Sequence, residues 1–285
     1  MQPARSWRTF VIYGVLTVFA VAVVGCSLSA ETAAPQTSAP PTSADGGAIV
    51  GATTLSPALA HIHGLHIDAG GVVLAGTHDG LFALDPGTGA VNRVGESDDD
   101  FMGLTGVPGT SALFSSGHPG RSSSAANPLG LRASTDGGRT WVTRSLAGEV
   151  DFHALAATDR LLVGFDTASG LRVSNDGGAN WAPGAAVAAS SLAITDRGVW
   201  AVTDAGLQFS EDAGLSFSAV PEAPSLAMVA GARDALWGVD TFGNAWQSQD
   251  GRDWRNAGFV GRVEALTTDA TNAYAATRDT LYRLE

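Results

Sequence analysis

Polar and apolar residues alternate in a five-residue frame that recurs along the chain. The frame reads HIHGL from His61, DFMGL from Asp100 and DFHAL from Asp151. Alternation with a period of two is typical of a β-strand, and it places the first and third residues of the frame on one face. The apolar second residues are predicted to point the other way, into the core; they are Ile62, Phe101 and Phe152.

A second frame, Gly-Leu-x-x-Ser, repeats with spacings of 50, 40, 36, 38 and 36 residues when its weaker copies are included. The copies are GLFAL, GLRAS, GLRVS, GLQFS, NAWQS and TLYRL, which begin at Gly80, Gly130, Gly170, Gly206, Asn244 and Thr280. A period near 40 residues, made of short strands separated by turns, indicates propeller blades of four strands each. We therefore predict an all-β chain that forms a six-bladed β-propeller of four-stranded antiparallel blades.

The last copy of the repeat stops at Glu285, directly after its third strand. Residues 48–55 (AIVGATTL) precede the first blade and have no blade of their own. We predict that this N-terminal segment supplies the missing outermost strand and closes the ring, which removes the open edges that a linear array would leave.

Composition narrows the choice of partners. The chain has 285 residues, of which 45% are hydrophobic and 15% charged, as expected of a globular protein. All 16 basic residues are arginine and the net charge is −12, so the basic surface that nucleic acid requires is missing. We expect no nucleic-acid partner, and we expect a monomer.

The start of the chain reads as a targeting segment. Arg5 and Arg8 precede an uncharged apolar run over residues 9–24. Gly25 and Cys26 follow it, so the segment closes with Val-Val-Gly-Cys. This arrangement resembles the lipobox of bacterial lipoproteins, and the resemblance implies cleavage before Cys26 and lipidation of its thiol. The expected organisation is a signal peptide (1–25), a lipidated cysteine with a Ser/Thr/Ala/Pro tether (26–47) and a propeller (48–285), anchored at the outer face of the cytoplasmic membrane. An uncleaved membrane anchor is the alternative.

Four copies of the repeat continue into the motif Ser-x-Asp-Gly-Gly-x-x-Trp or a close variant, and they begin at Ser134, Ser174, Ser210 and Ser248. The motif resembles the Asp box, or BNR repeat, of sialidases, sortilin-type domains and related propellers. Serine and aspartate side chains fix tight turns by bonding to the backbone, so we assign these aspartates a structural role. They are Asp136, Asp176, Asp212 and Asp250.

Histidines gather at one rim of the predicted propeller, opposite the Asp boxes. The third frame positions around the ring are His63, Met102, His153, Ser190, Pro224 and Glu264, and the first positions are His61, Asp100, Asp151, Ala188, Glu222 and Arg262. His78 and His118 follow the second strands of blades 1 and 2, so five of the six histidines are predicted on this rim. His66 lies further along its strand and is expected in the core or at its flank. The rim therefore predicts a shared basin with metal-binding side chains.

Three functions fit the basin. The first is a transition-metal site, with candidate ligands His61, His63, His78, His118, His153 and Met102, and with copper or zinc as the metal. Asp100 and Asp151 are further ligands, or acceptors that orient His63 and His153.

The second function comes from a resemblance of the whole folded region to bacterial Asp-box lipoproteins classed with the glycosyl hydrolases. The resemblance implies glycoside hydrolysis, and Asp100 and Asp151 are the candidate carboxylate pair for it, with His63 or His153 as acid or base. The arginine-bearing motif that precedes the first blade in sialidases is missing, and Tyr274 and Tyr282 do not map to the rim. The third function is a binding or assembly module that holds a glycan or a protein on the histidine-rich rim.

Overall fold

A computed structural model describes residues 51–285, which form six four-stranded antiparallel sheets arranged as a six-bladed β-propeller. The predicted fold class is confirmed. The predicted boundaries at residues 25, 47 and 48, and Cys26 itself, lie outside the described residues and stay predictions. Within the described part of the chain there is no helix that could cross a membrane.

The strands follow the chain from blade to blade, and each blade runs from its innermost to its outermost strand. Blade 1 contains β2 (Ile62–Ile67), β3 (Val73–Thr77), β4 (Gly80–Leu84) and β5 (Val91–Val94); blade 2 contains β6 (Asp100–Gly106), β7 (Leu113–His118), β8 (Leu131–Ser134) and β9 (Val142–Ser145). Blade 3 contains β10 (Ala154–Ala157), β11 (Leu162–Asp166), β12 (Gly170–Ser174) and β13 (Ala182–Pro183); blade 4 contains β14 (Ser191–Thr195), β15 (Gly198–Thr203), β16 (Gly206–Ser210) and β17 (Ser218–Ala219). Blade 5 contains β18 (Leu226–Ala232), β19 (Ala235–Asp240), β20 (Asn244–Ser248) and β21 (Arg255–Phe259); blade 6 contains β22 (Ala265–Thr268), β23 (Ala273–Ala276), β24 (Thr280–Leu284) and β1 (Gly51–Thr54).

The ring closes as the sequence predicts. Strand β1 pairs antiparallel with β24, in a register that places Gly51 opposite Arg283 and Thr54 opposite Thr280. The chain then continues along blade 6, because the amide of Leu55 donates to the carbonyl of Asp279 over 2.7 Å. An N-terminal strand is thus the outer edge of the last blade.

The hydrophobic core is divided among the junctions between blades. In the described residues, six clusters of buried apolar side chains each draw on two adjacent blades. The second residues of the predicted frame are buried in three of these clusters, as expected, with exposures of 0–2%. Leu55 is buried in the cluster between blade 6 and blade 1, so the closing segment contributes to the core as well as to the sheet.

The Ser-x-Asp turns join strands three and four through a repeated set of hydrogen bonds. In blade 3, the hydroxyl of Ser174 donates to Asp176 and accepts from the amide of Gly178, while Asp176 also accepts from the amide and side chain of Asn180. Blades 2 and 4 repeat the pattern, and the shorter turn of blade 5 has Gly251 in the place of Gly178. These bonds hold the pKa of the carboxyls Asp136, Asp176 and Asp212 at about 2, below the ordinary 3.8; the pKa of Asp250 is lowered as well.

Gly178, whose amide donates to the Ser174 hydroxyl, packs so closely against the preceding blade that a side chain does not fit. Gly178 has a φ of +80°, and a Cβ there would collide with Leu131 of the preceding blade. The turn therefore lies against its neighbouring blade, and a residue with a side chain would have to displace the Leu131 side chain and adopt a strained φ.

Blade 5 departs from the predicted register. Its innermost strand begins at Leu226, which pairs with Asp240, and Ala227 takes the place in the ring that Ser190 has in blade 4. The expectation that Pro224 and Glu222 occupy the third and first frame positions of this blade is wrong. The segment before Leu226 lacks the polar–apolar alternation, so no local pattern predicts its register.

We expect Leu55→Ala to lower the free energy of unfolding by about 2–5 kcal/mol, because it leaves a cavity at the junction that closes the ring. Thr54→Ala is the matched control, since Thr54 is exposed and its replacement should change stability by less than about 0.5 kcal/mol. Urea unfolding measures both. Equal stability of the two variants would contradict a role for the N-terminal segment in closing the ring.

Candidate metal centre

The rim opposite the Ser-x-Asp turns is shaped by irregular strand starts. In blade 1 the ladder between β2 and β3 slips by one residue between Ile62 and Gly64, so His63 is the extra residue of a β-bulge. Blade 2 has a slip of the same kind in β6, between Asp100 and Gly103. Bulges re-aim side chains at the ends of strands and are common beside functional sites.

The first cluster joins blades 1 and 2. The Nδ1 of His78 lies 2.9 Å from Oδ2 of Asp100 and 3.3 Å from Nε2 of His63. The same Nε2 of His63 lies 3.6 Å from Oδ1 of Asp100. One ligand atom from each of the three residues therefore falls within 4.8 Å of the other two, which is the spacing of a possible metal site.

His61 lies beside this cluster and ties it to blade 6. Its ring centroid is 4.6 Å from that of His63, and its Nδ1 is 3.2 Å from Oε1 of Glu264. The other oxygen of Glu264 accepts a hydrogen bond of 2.9 Å from the amide of Ile62. Glu264 thus fixes the strand start that carries His61 and His63.

The second cluster joins blades 2 and 3 around Asp151. Its Oδ2 lies 3.2 Å from Nε2 of His118 and 3.6 Å from Nε2 of His153. The remaining ring nitrogens are also engaged: Nδ1 of His118 is 2.7 Å from Oδ1 of Asn127, and Nδ1 of His153 is 3.1 Å from the backbone carbonyl of Asp151. Asn127 belongs to the long insertion between β7 and β8.

Burial shifts the pKa of one residue in each cluster. The pKa of His63 is lowered from 6.5 to about 4, mainly by loss of solvent and also by the neighbouring His78, against the opposing effect of Asp100. His63 is therefore a neutral imidazole at pH 7. Burial also raises the pKa of Asp151, and the nearby histidines His153 and His118 act in the opposite direction.

Two carboxylate oxygens of the basin have no hydrogen-bond partner within residues 51–285. They are Oδ1 of Asp100 and Oδ1 of Asp151, and both are buried. A buried polar atom without a partner costs about 1–3 kcal/mol, and more when it is charged, so such atoms call for a ligand, a water or an ion.

The predicted site residues thus separate into two groups. His61, His63, His78 and Asp100 come together, and so do His118, His153 and Asp151. Met102 belongs to the same strand start as Asp100, and Gly103 lines the wall of the central channel; the role of Met102 as a ligand stays a prediction. His66 is buried, as expected.

Sequence reasoning missed two participants. Glu264 was placed in the frame but not among the ligands, although the ring geometry brings blade 6 beside blade 1. Asn127 had no signal of its own beyond its position in the longest rim insertion, where binding residues are commonly carried.

Two open spaces adjoin the clusters. The central channel holds about 200 Å³, and its wall includes His63, His153 and Glu264. A groove of about 550 Å³ runs past His78 and Asp100 on the outer side. A small molecule or water could therefore reach the first cluster from either side.

Comparison with known proteins identifies the fold and no closer relationship. No protein-family model matches the chain, and no curated protein does. Among solved structures, the GH74 enzyme of Niastella koreensis superimposes with a TM-score of 0.56 at 14% identity, over 76% of this chain and 41% of that enzyme. The chain thus spans less than half the length of that enzyme.

Two further propellers superimpose over nearly their whole length. The RRP9 WD40 repeats give a TM-score of 0.56 at 10% identity, over 85% of this chain and 99% of the other. A chain of the mitotic checkpoint complex gives 0.53 at 10% identity, over 92% and 98%. Identities this low establish the β-propeller fold alone.

We expect the imidazole of His63 to titrate near pH 4 in the metal-free protein, followed by NMR. The unfolded chain takes up this proton near pH 6.5 and the folded chain does so only near 4, so protons favour unfolding between these values. Stability should fall as the pH drops through this window, by up to about 1.4 kcal/mol per pH unit from this residue.

His63→Asn should remove that part of the pH dependence, measured by urea unfolding between pH 6.5 and 4. Asp100→Asn is a control with a predicted direction. Its carboxylate raises the pKa of His63, so its loss should lower that pKa further. A wild-type midpoint near 6.5, or equal pH slopes for wild type and His63→Asn, would contradict the assignment.

Proposed function

We propose that this protein is an extracytoplasmic, lipid-anchored β-propeller whose rim basin binds a transition-metal ion between His63, His78 and Asp100. The supporting observation is the convergence of two imidazole nitrogens and one carboxylate within 4.8 Å. The residues come from three different strand ends, so no local sequence motif identifies the site.

The spacing of the three ligand atoms suits a first-row metal. Bonds of about 2.0–2.1 Å in tetrahedral geometry separate neighbouring ligand atoms by about 3.3–3.4 Å. Nδ1 of His78 lies 2.9 Å from Oδ2 of Asp100 and 3.3 Å from Nε2 of His63, both close to that value. Nε2 of His63 lies 3.6 Å from the other carboxylate oxygen, Oδ1. Metal binding requires a neutral imidazole, and His63 already is one at pH 7.

The ligand set favours zinc, with copper(II) as the other candidate. Two imidazoles and a carboxylate suit either ion, whereas copper(I) prefers thiolate or thioether ligands. Three protein ligands leave a fourth position open, as in catalytic zinc sites. The groove beside His78 and Asp100 would give water or a small ligand access to it.

Glycoside hydrolysis is the second candidate function, and one observation favours it. Burial raises the pKa of Asp151, which is what a general acid requires, and the carboxylate Asp100 is near enough to contribute to the shift. Fold similarity to the GH74 enzyme adds nothing to this argument at 14% identity. A glycan or protein held on the same rim remains a third proposal.

We expect wild-type protein, loaded with zinc and desalted, to retain metal in elemental analysis. His63→Ala with His78→Ala should weaken binding at this site by more than about 100-fold, because both imidazole ligands are removed and loss of an outer-shell partner alone costs 10–100-fold. Asp159→Asn, an exposed carboxylate remote from the basin, is the control. Wild type with no metal above background would overturn the proposal.

The hydrolase proposal predicts activity that does not depend on a metal. Chelator-treated wild type would keep a glycosidase rate with a bell-shaped pH profile, and Asp151→Asn or Asp100→Asn would abolish it. A rate that disappears with the metal would instead assign the chemistry to the metal site.

We expect Cys26→Ser to block lipidation and cleavage, because only a thiol can receive the lipid, so the variant should keep the mass of the unprocessed chain. Ser27→Ala is the matched control and should fractionate like wild type. Fractionation and mass are measured by ultracentrifugation and mass spectrometry. A Cys26→Ser variant that behaves like wild type would refute the lipid anchor.

A further inference from the structure

The groove on the outer side of the first cluster brings two of the proposed metal ligands together with apolar residues and two arginines. It holds about 550 Å³, which is within the usual range for a small-molecule site. His78 and Asp100 line it beside the closing segment at residues 57–60 (PALA). The two arginines of its lining are Arg93, on the outermost strand of blade 1, and Arg121, in the long insertion of blade 2.

Arg93 is held in place by contacts within the protein. Its guanidinium carbon lies 4.9 Å from the ring centroid of Phe82, and its Nη1 donates to the carbonyl of Ser97 over 3.0 Å. Gly80 has a φ of +122°, and a Cβ there would collide with Nη1 of Arg93. The guanidinium therefore lies against the turn that carries His78, which is two residues before Gly80.

Arg121 is placed by two aspartates that directly precede β6. The amide of Gly120 donates to Oδ1 of Asp99 over 2.8 Å, and the amide of Ser122 donates to Oδ2 of Asp98 over 3.2 Å. The backbone on both sides of Arg121 is thus bonded to the chain segment that leads into the first cluster.

Neither arginine of the groove has a carboxylate partner within the described part of the chain. The arginines of residues 51–285 that form such pairs are Arg132, Arg160 and Arg283. A guanidinium group offers planar N–H donors that match the oxygens of a phosphate or carboxylate. Two such groups in one groove therefore favour an oxyanion as its ligand.

A metal ion would decide the net charge of this groove. Its lining has three aspartates, Asp79, Asp98 and Asp100, beside the two arginines, so it is acidic overall without a cation. A divalent ion bound by His78 and Asp100 reverses the sign. Binding of the ion and binding of an oxyanion should therefore strengthen each other.

We propose that this groove binds a small organic oxyanion, a phosphate or carboxylate with a compact apolar body, through Arg93 and Arg121. The proposal rests on the metal-binding function proposed above for the role of the ion, which supplies a third source of positive charge, whereas the arginines are tested separately. Residues 57–60 provide the apolar surface for the body of the ligand.

Calorimetric titration with phenyl phosphate tests the proposal on the full chain, loaded with zinc and desalted. Arg93→Gln should weaken binding by about 10-fold or more, because hydrogen bonds between charged groups are lost. Arg121→Gln should weaken it in the same direction. Arg160→Gln is the matched control, since it removes one exposed arginine outside the groove and should bind like wild type.

Further probes separate charge from shape and from folding. Benzyl alcohol, which is neutral, should bind at least about 10-fold more weakly than phenyl phosphate. Benzoate replaces the phosphate by a carboxylate, and tight binding of either anion supports the proposed ligand class. Arg93→Lys keeps the charge without the planar donors and should have an affinity between those of wild type and Arg93→Gln. Each arginine variant should retain as much zinc as wild type in elemental analysis.

The outcomes distinguish this proposal from the previous one. Protein that retains zinc but binds phenyl phosphate no better than benzyl alcohol, or equally well in wild type and Arg93→Gln, would overturn the oxyanion groove and leave the metal site. Protein that retains no zinc but binds phenyl phosphate through Arg93 would support the groove and overturn the metal site. Equal affinity before and after chelator treatment of zinc-retaining protein would overturn the coupling between ion and oxyanion.

Discussion

Packing between neighbouring blades is the interaction on which the whole structure depends. Each cluster of buried apolar side chains in the described region is shared by two adjacent blades, so no blade has a core of its own. A linear array would leave one apolar face bare at each end, and closure of the ring is the arrangement that buries both. Strand β1 and Leu55 complete the junction between the last blade and the first.

The same constraint places the polar residues. The faces of the sheets pack against the neighbouring blades. Polar side chains such as His63, Asp100 and His153 can therefore remain partly solvated only at the ends of the inner strands. Bulges at these starts allow one more residue to project without shifting the buried alternation that follows. A rigid ring thereby brings residues distant in sequence to one rim.

Most of the fold can be predicted from the sequence, because the short strand patterns, weak individually, repeat six times at a similar spacing. Alternation identified single strands, the period near 40 residues identified blades, and the incomplete last copy identified the closing strand. Blade 5 was misread because its first strand is preceded by PEAPS, which has neither the alternation nor a polar pair at the frame positions. Register there is set by pairing with β19, a contact that no local pattern records.

The sequence predicts on which rim the candidate site lies, but not which of its residues come into contact. The rim and its five histidines followed from the frame, but the division into two trios depends on which strand ends meet across a blade junction. His78 joins His63 and Asp100 because the second strand of blade 1 ends beside the first strand of blade 2. Met102 shares its frame position with His63, and it lies within the bulge that precedes Gly103, which the sequence pattern does not reveal. Asn127 enters from an insertion whose conformation has no repeat to predict it.

The basin is arranged against its own stability in the absence of a cation. His63 is kept neutral by burial, Asp151 has a raised pKa, and two buried carboxylate oxygens have no partner in the described residues. The unpartnered oxygens raise the free energy of the metal-free fold, and a bound cation would offset that cost and favour the charged form of Asp151. The neutral imidazole of His63 is already the form that binds a metal. An ion that binds only the folded state adds about 4 kcal/mol of stability when its concentration is a thousand times its Kd. Strain confined to one rim of an otherwise well-packed ring is therefore better explained as a site kept ready for a cation than as a fault in folding.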